Sequence, residues 1–179
     1  MALSLLYDEC RYNYLKGLYW CSDRDLISLA AIMLQIVYGS KIKLTEKTLA
    51  TIIPMHRLPS SSKELKAMLS RIESEHRTRN GTNLIKLQQI FLQICWRFNV
   101  YGATFFDAII FMKKPVSLNL PVKAGVNDYG LHLINAQTMV LIQSYPIEGL
   151  KWVLKVDRPY IEISTRSGAD LILSTPQVT

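Results

Sequence analysis

The chain has 179 residues, 49% of them hydrophobic and 20% charged, with a formal net charge of +7. That length buries a sizeable core, and the composition excludes disorder, collagen-like repeats and a coiled-coil rod. The longest charge-free apolar stretch, Leu26 to Ser40, is fifteen residues, short of the ~18–20 that a membrane-spanning helix needs.

Helical periodicity governs the first hundred residues. Leu3, Leu6, Cys10 and Tyr14 repeat at three and four on a first helix that Gly17 ends. Ser22 is the expected cap of a second helix, which is apolar nearly all round from Leu26 to Tyr38 and stops at Gly39. Such a helix belongs at the centre of a bundle. A basic connection, Ser40-Lys-Ile-Lys43, leads to a short helical turn from Thr45, and Pro54 and Pro59 then break the chain. Ser61 with Glu64 forms a capping box for a helix to about Arg77. After the turn Arg79-Asn-Gly-Thr82, a last helix carries Leu84, Leu87, Phe91, Ile94 and Phe98 on one face.

From Thr104 the period becomes two. Strands are expected at about 104–112, 119–124, 130–135, 139–144, 149–156, 159–164 and 170–174, separated by turn chemistry such as Asn127-Asp-Tyr-Gly130 and Ser167-Gly168. In Leu150-Lys-Trp-Val-Leu-Lys-Val156 the alternation predicts a buried Trp152 and an exposed Val153. Seven short antiparallel strands describe a small sandwich or barrel. Ser174-Thr-Pro176 then reads as the start of a helix of which little more than a turn follows.

The charge is unevenly spread. Lys41 to Arg97 holds eleven basic and four acidic side chains, whereas residues 101–179 hold seven and six. An excess of this kind suits an acidic protein surface, anionic lipid or nucleic acid, or simply solvates a helix face. Nucleic acid is the weakest of these, because the basic residues sit on helices and the strands lack the basic, aromatic-studded pattern of single-strand binders. Cys10, Cys21 and Cys95 form no C-x-x-C pair, so neither a disulfide framework nor a zinc site is expected, and a reducing compartment is. The amino-terminal run meets Asp8 without a basic leader, which is unlike a secretory signal. His56, His76 and His132 lie far apart, and no P-loop, G-x-S-x-G or G-x-G-x-x-G run occurs. The expectation is a protein without catalysis, cofactor or metal.

Several runs carry a resemblance. Leu5-Leu-Tyr-Asp-Glu9 with Tyr12-Asn13, Met33-Leu-Gln-Ile-Val-Tyr-Gly39, Phe91-Leu-Gln-Ile-Cys-Trp96 and Tyr101-Gly-Ala-Thr-Phe-Phe106 resemble the middle lobe of a FERM domain and its junction with the third. Gly125-Val-Asn127 with Gly130-Leu-His-Leu133 resembles the early strands of the third lobe in a junctional-scaffold branch of that family. The resemblance implies an α+β chain. Residues 1–100 would form an acyl-CoA-binding-like helical bundle. Residues 101–179 would form a PH/PTB-like seven-stranded antiparallel β-barrel lacking most of its closing C-terminal helix. It further implies a non-enzymatic scaffold binding a Rap-type small GTPase, a transmembrane receptor's cytoplasmic tail and other adaptor proteins, peripheral to the plasma membrane at cell–cell junctions. An alternative is a membrane-surface module for phosphoinositides or other anionic lipid. Lys41, Lys43 and Lys47 match the GTPase-facing loop loosely. The fifth strand is the expected peptide-adding edge, with Lys151, Val153 and Lys155 as its outward residues.

Overall fold

The computed structural model describes residues 2–112, 118–154, 160–166 and 170–175. It divides into two compact units, Met1–Tyr101 and Gly102–Thr179.

The first unit is helical: α1 Ala2–Leu15, α2 Asp23–Tyr38, α3 Glu46–Leu49, α4 Ser62–Arg77 and α5 Leu84–Cys95. Local chemistry sets the boundaries. The Ser22, Thr45 and Ser61 hydroxyls each accept the backbone N–H three residues on, satisfying donors that the first helical turn would otherwise leave unpaired. Gly39 ends α2 in the left-handed region at φ 71°, its N–H bonded to the Gln35 carbonyl. Leu29 to Met33 are completely buried, as a central helix requires. Phe91 of α5 is also completely buried, edge-on to Tyr7 and Tyr14 of α1 with ring centroids 5.0 and 6.2 Å away. The Tyr14 hydroxyl disposes of its own polarity by donating to the Ile52 carbonyl at 3.1 Å.

Two faces differ from the sequence expectation. α1 turns Tyr7, Cys10 and Tyr14 inward, while Leu6 is 44% exposed. α5 buries Leu87, Gln88, Phe91 and Cys95 and leaves Leu84 53% exposed. Both stripes are rotated by the same cause: the packing is organised around the aromatic pairs made by Phe91, not around the leucines.

The second unit is one antiparallel sheet in the order β4-β3-β2-β1-β7-β6-β5. Its strands are β1 Thr104–Met112, β2 Leu118–Asn127, β3 Gly130–Asn135, β4 Leu141–Pro146, β5 Lys151–Leu154, β6 Tyr160–Ser164 and β7 Asp170–Ser174. β4 and β5 end the order, and among the described residues no ladder joins them, so the expected barrel is an unclosed sheet. One face gathers the core: Ala108, Ile110, Val122, Leu133, Leu171 and their neighbours. β4 begins two residues later than expected because Asn135 Oδ1 accepts the amides of Gln137 and Thr138, tightening the turn before it. The expected closing-helix start, from Pro176 onward, lies outside the described residues.

Trp152 corrects the sequence reading. It is 62% exposed, not buried. The alternation itself holds: Trp152 and Leu154 lie opposite Ile163 and Ile161, and Lys151 and Val153 opposite Ser164 and Glu162. Periodicity fixes which face a residue takes, but burial needs something over that face, and none of the described residues covers it at β5.

Candidate partner-binding surfaces

β5 pairs with β6 along one side only, so its other side is a sheet edge among the described residues. Beside this edge the apolar face opens into a groove of about 350 Å³ whose lining includes Phe106, Val126, Leu131, Leu150, Trp152 and Ile161. Val153 at 53% and Leu154 at 58% exposure complete three consecutive apolar residues facing solvent. A free backbone edge beside an apolar groove can take an extended chain, the edge supplying hydrogen bonds and the groove accepting alternate side chains.

Of the outward residues expected on β5, the two that are described lie off this groove. Lys151 and Val153 project from the opposite face of β5, and Lys155 lies outside the described residues. Phe106, Leu150 and Ile161, which do line it, carry no sequence signal beyond strand periodicity.

In the helical unit, Lys41 and Lys43 are exposed on the connection after α2, and Lys47 is exposed on α3. Acids elsewhere in the unit are engaged. Asp23 pairs with Arg57 and Asp25 with Arg97, both at 2.6 Å, and Glu75 pairs with Arg79. His76 Nε2 donates to the Gly39 carbonyl at 3.0 Å, fastening the end of α4 beside the start of the basic connection. Lys41, Lys43 and Lys47 make no ion pair with the described residues. Charges left this way act at long range on an approaching acidic surface.

One polar constellation deserves chemical scrutiny because it brings together a serine, a histidine and an amide. His132 is buried, with Nδ1 2.9 Å from Ser144 Oγ and Nε2 3.0 Å from Asn127 Oδ1. That Asn127 oxygen also accepts the Tyr129 and Gly130 amides, so the imidazole carries its proton on Nε2, and Nδ1 accepts a hydrogen bond from the Ser144 hydroxyl. The row braces the β2–β3 turn against β4. Burial holds the His132 pKa below the ordinary histidine value. The unfolded chain therefore takes up a proton first as pH falls. The His132 contribution to stability is full above about pH 6.5 and declines below it, until the folded pKa is passed, by up to about 1.4 kcal/mol per pH unit. His132→Gln is expected to flatten that decline in denaturant titrations at several pH values. His56, which desolvation also lowers, provides the comparison; an unchanged slope in His132→Gln with a flattened one in His56→Gln would assign the effect to the helical unit instead. Among the described residues no group of three potential metal ligands gathers, and no helix is long and apolar enough to cross a membrane.

Residues 1–106 match the FERM central domain, and residues 120–179 match the KRIT1/FRMD8 FERM domain C-lobe. The chain belongs to the FERM family. It is 26% identical over 155 residues to FERM domain-containing protein B of Dictyostelium discoideum, covering 79% of this chain and 31% of that protein. It is 29% identical over 141 residues to unconventional myosin-VIIb of Mus musculus, covering 75% of this chain and 6% of the myosin. The chain thus spans less than a third of either relative. Its fold matches a human myosin 7b MyTH4-FERM domain solved with a harmonin-a PDZ3 domain, with a TM-score of 0.71 and 21% identity over 94% of this chain and 34% of that one. A Dictyostelium discoideum myosin VII MyTH4-FERM domain gives 0.73 and 20% over 98% and 35%. The helical unit is therefore the FERM central lobe and the sheet a PTB-like FERM C-lobe.

Proposed function

We propose that this FERM chain is a non-catalytic adaptor whose C-lobe docks an extended apolar segment of a receptor's cytoplasmic tail along β5. The observation that carries this reading is the edge itself: β5 is paired on one side, and Trp152, Val153 and Leu154 are each more than half exposed beside an apolar groove. Titration of the isotope-labelled chain with an apolar tail peptide is expected to shift the amides of Lys151 to Leu154. Shifts confined to other strands would overturn the assignment. Lys151, Val153 and Lys155 are the proposed outward contacts of the same strand.

The helical lobe is proposed to meet the acidic face of a Rap-type small GTPase through Lys41, Lys43 and Lys47. Their exposure, and the absence of any ion pair to them among the described residues, support a long-range attraction. Reversing Lys41 and Lys43 to Glu is expected to slow association roughly three- to tenfold at low salt and to change dissociation much less. Equal association rates for variant and parent, measured by stopped flow, would remove these lysines from the interface. Such partners would set the chain to work at the cytoplasmic side of the plasma membrane, at cell–cell junctions.

The basic excess between Lys41 and Arg97 also favours a second reading, attachment to anionic lipid. Salt-sensitive sedimentation with phosphoinositide-containing vesicles in the absence of any GTPase is its expected signature. Sedimentation equal to that with neutral vesicles would exclude it.

A further inference from the structure

The two edges of the sheet are not alike. β4 is guarded: its pairing with β3 is interrupted by a register shift at Leu133/Ile134, and the strand ends at Pro146. Bulges and prolines are the devices by which sheet edges avoid joining other edges. Among its described residues β5 carries neither, and Lys151 is the sole charged one.

We propose that β5 also joins β5 of a second copy of this chain, antiparallel about a two-fold axis at Trp152, and so makes one sheet continuous across two C-lobes. This rests on β5 being the open edge, the same observation that supports tail docking. The strand sequence selects the register. With Trp152 opposite the partner's Trp152, Leu150 meets the partner's Leu154, and every cross-strand pair on the groove face is apolar. On the other face Lys151 lies opposite the partner's Val153, so no like charges are opposed. The joint thus matches apolar to apolar and keeps the two Lys151 side chains apart. Sliding the strands so that Lys151 faced the partner's Lys151 would oppose like charges directly and set Leu154 against the partner's Glu148.

Pairing of this kind occupies the edge that a tail segment would use. The dimer is then a self-covered state that an apolar tail peptide must displace.

Sedimentation of the whole chain across a concentration series reads the association, and single cysteines read the register. The weight-average mass is expected to rise about twofold with concentration. Mild oxidation with diamide is expected to cross-link Trp152→Cys at least about fivefold faster than Leu154→Cys, because only residues opposite their own copies approach disulfide range. The Leu150→Cys/Leu154→Cys double variant keeps Trp152 and is expected to cross-link where either single variant does not. A constant monomer mass overturns the proposal, and so does equal cross-linking at 152 and 154. A monomer that still binds the apolar peptide at β5 leaves the docking role standing and removes only the dimer. A dimer that no such peptide dissociates, and that binds none, keeps the dimer and removes the docking role.

Discussion

Gly130→Ala is expected to cost the C-lobe about 3–5 kcal/mol, a large fraction of the stability of a lobe of this size. Gly130 opens β3 at φ 142°, where side chains are rarely found, and a methyl group there would stand 1.9 Å from the Tyr145 carbonyl oxygen and 2.9 Å from its carbon. These are backbone atoms of the strand that Gly130 and Leu131 pair with, so relief would require breaking the β3–β4 ladder. The same turn holds the Asn127 oxygen that receives the Gly130 amide and the His132 ring. Gly81 supplies the comparison: φ is 78° and nothing lies within 4 Å of the added carbon. Gly81→Ala should cost only about 1 kcal/mol, the strain of the backbone alone. Chemical denaturation followed by strand-sensitive circular dichroism distinguishes the two; equal costs would mean that Gly130 is not pressed against β4.

Phe91→Ala is the corresponding experiment in the central lobe. The ring is completely buried and meets Tyr7 at 72° and Tyr14 at 90°, both edge-to-face. Removing it leaves a cavity between α1 and α5 and abolishes both aromatic contacts, with an expected loss of about 3–5 kcal/mol. Leu84 on the same helix is more than half exposed, and Leu84→Ala should stay within about 0.5 kcal/mol. If the two variants unfolded at the same denaturant concentration, the aromatic cluster would not be the centre of that lobe.

Much of the architecture was legible because local chemistry decides it. Ser22, Thr45 and Ser61 announce helix starts through their own hydroxyls, and Gly39 announces an end through a backbone angle that other residues resist. The strands from Thr104 onward follow a two-residue period that survives folding almost unchanged. What periodicity could not supply is the identity of the covering element. Leu6 and Leu84 fit the helical spacing as well as Tyr7 and Gln88 do, and only the position of Phe91 chooses between them. Trp152 shows the same limit in the sheet: its face was readable, its exposure was not, since that depends on what lies across the groove. The His132 row joins Asn127, His132 and Ser144 from neighbouring strands, and no spacing rule links them before β2, β3 and β4 are in register.

The docking role of β5 is tested most directly by calorimetric titration of an apolar receptor-tail peptide into the chain and into its Trp152→Asp variant. Because Trp152 is 62% exposed, the substitution should leave unfolding within about 1 kcal/mol of the parent while placing a charge in the groove. The account predicts saturable binding to the parent and at least about tenfold weaker binding to the folded variant. Equal affinities in two equally folded proteins would contradict it.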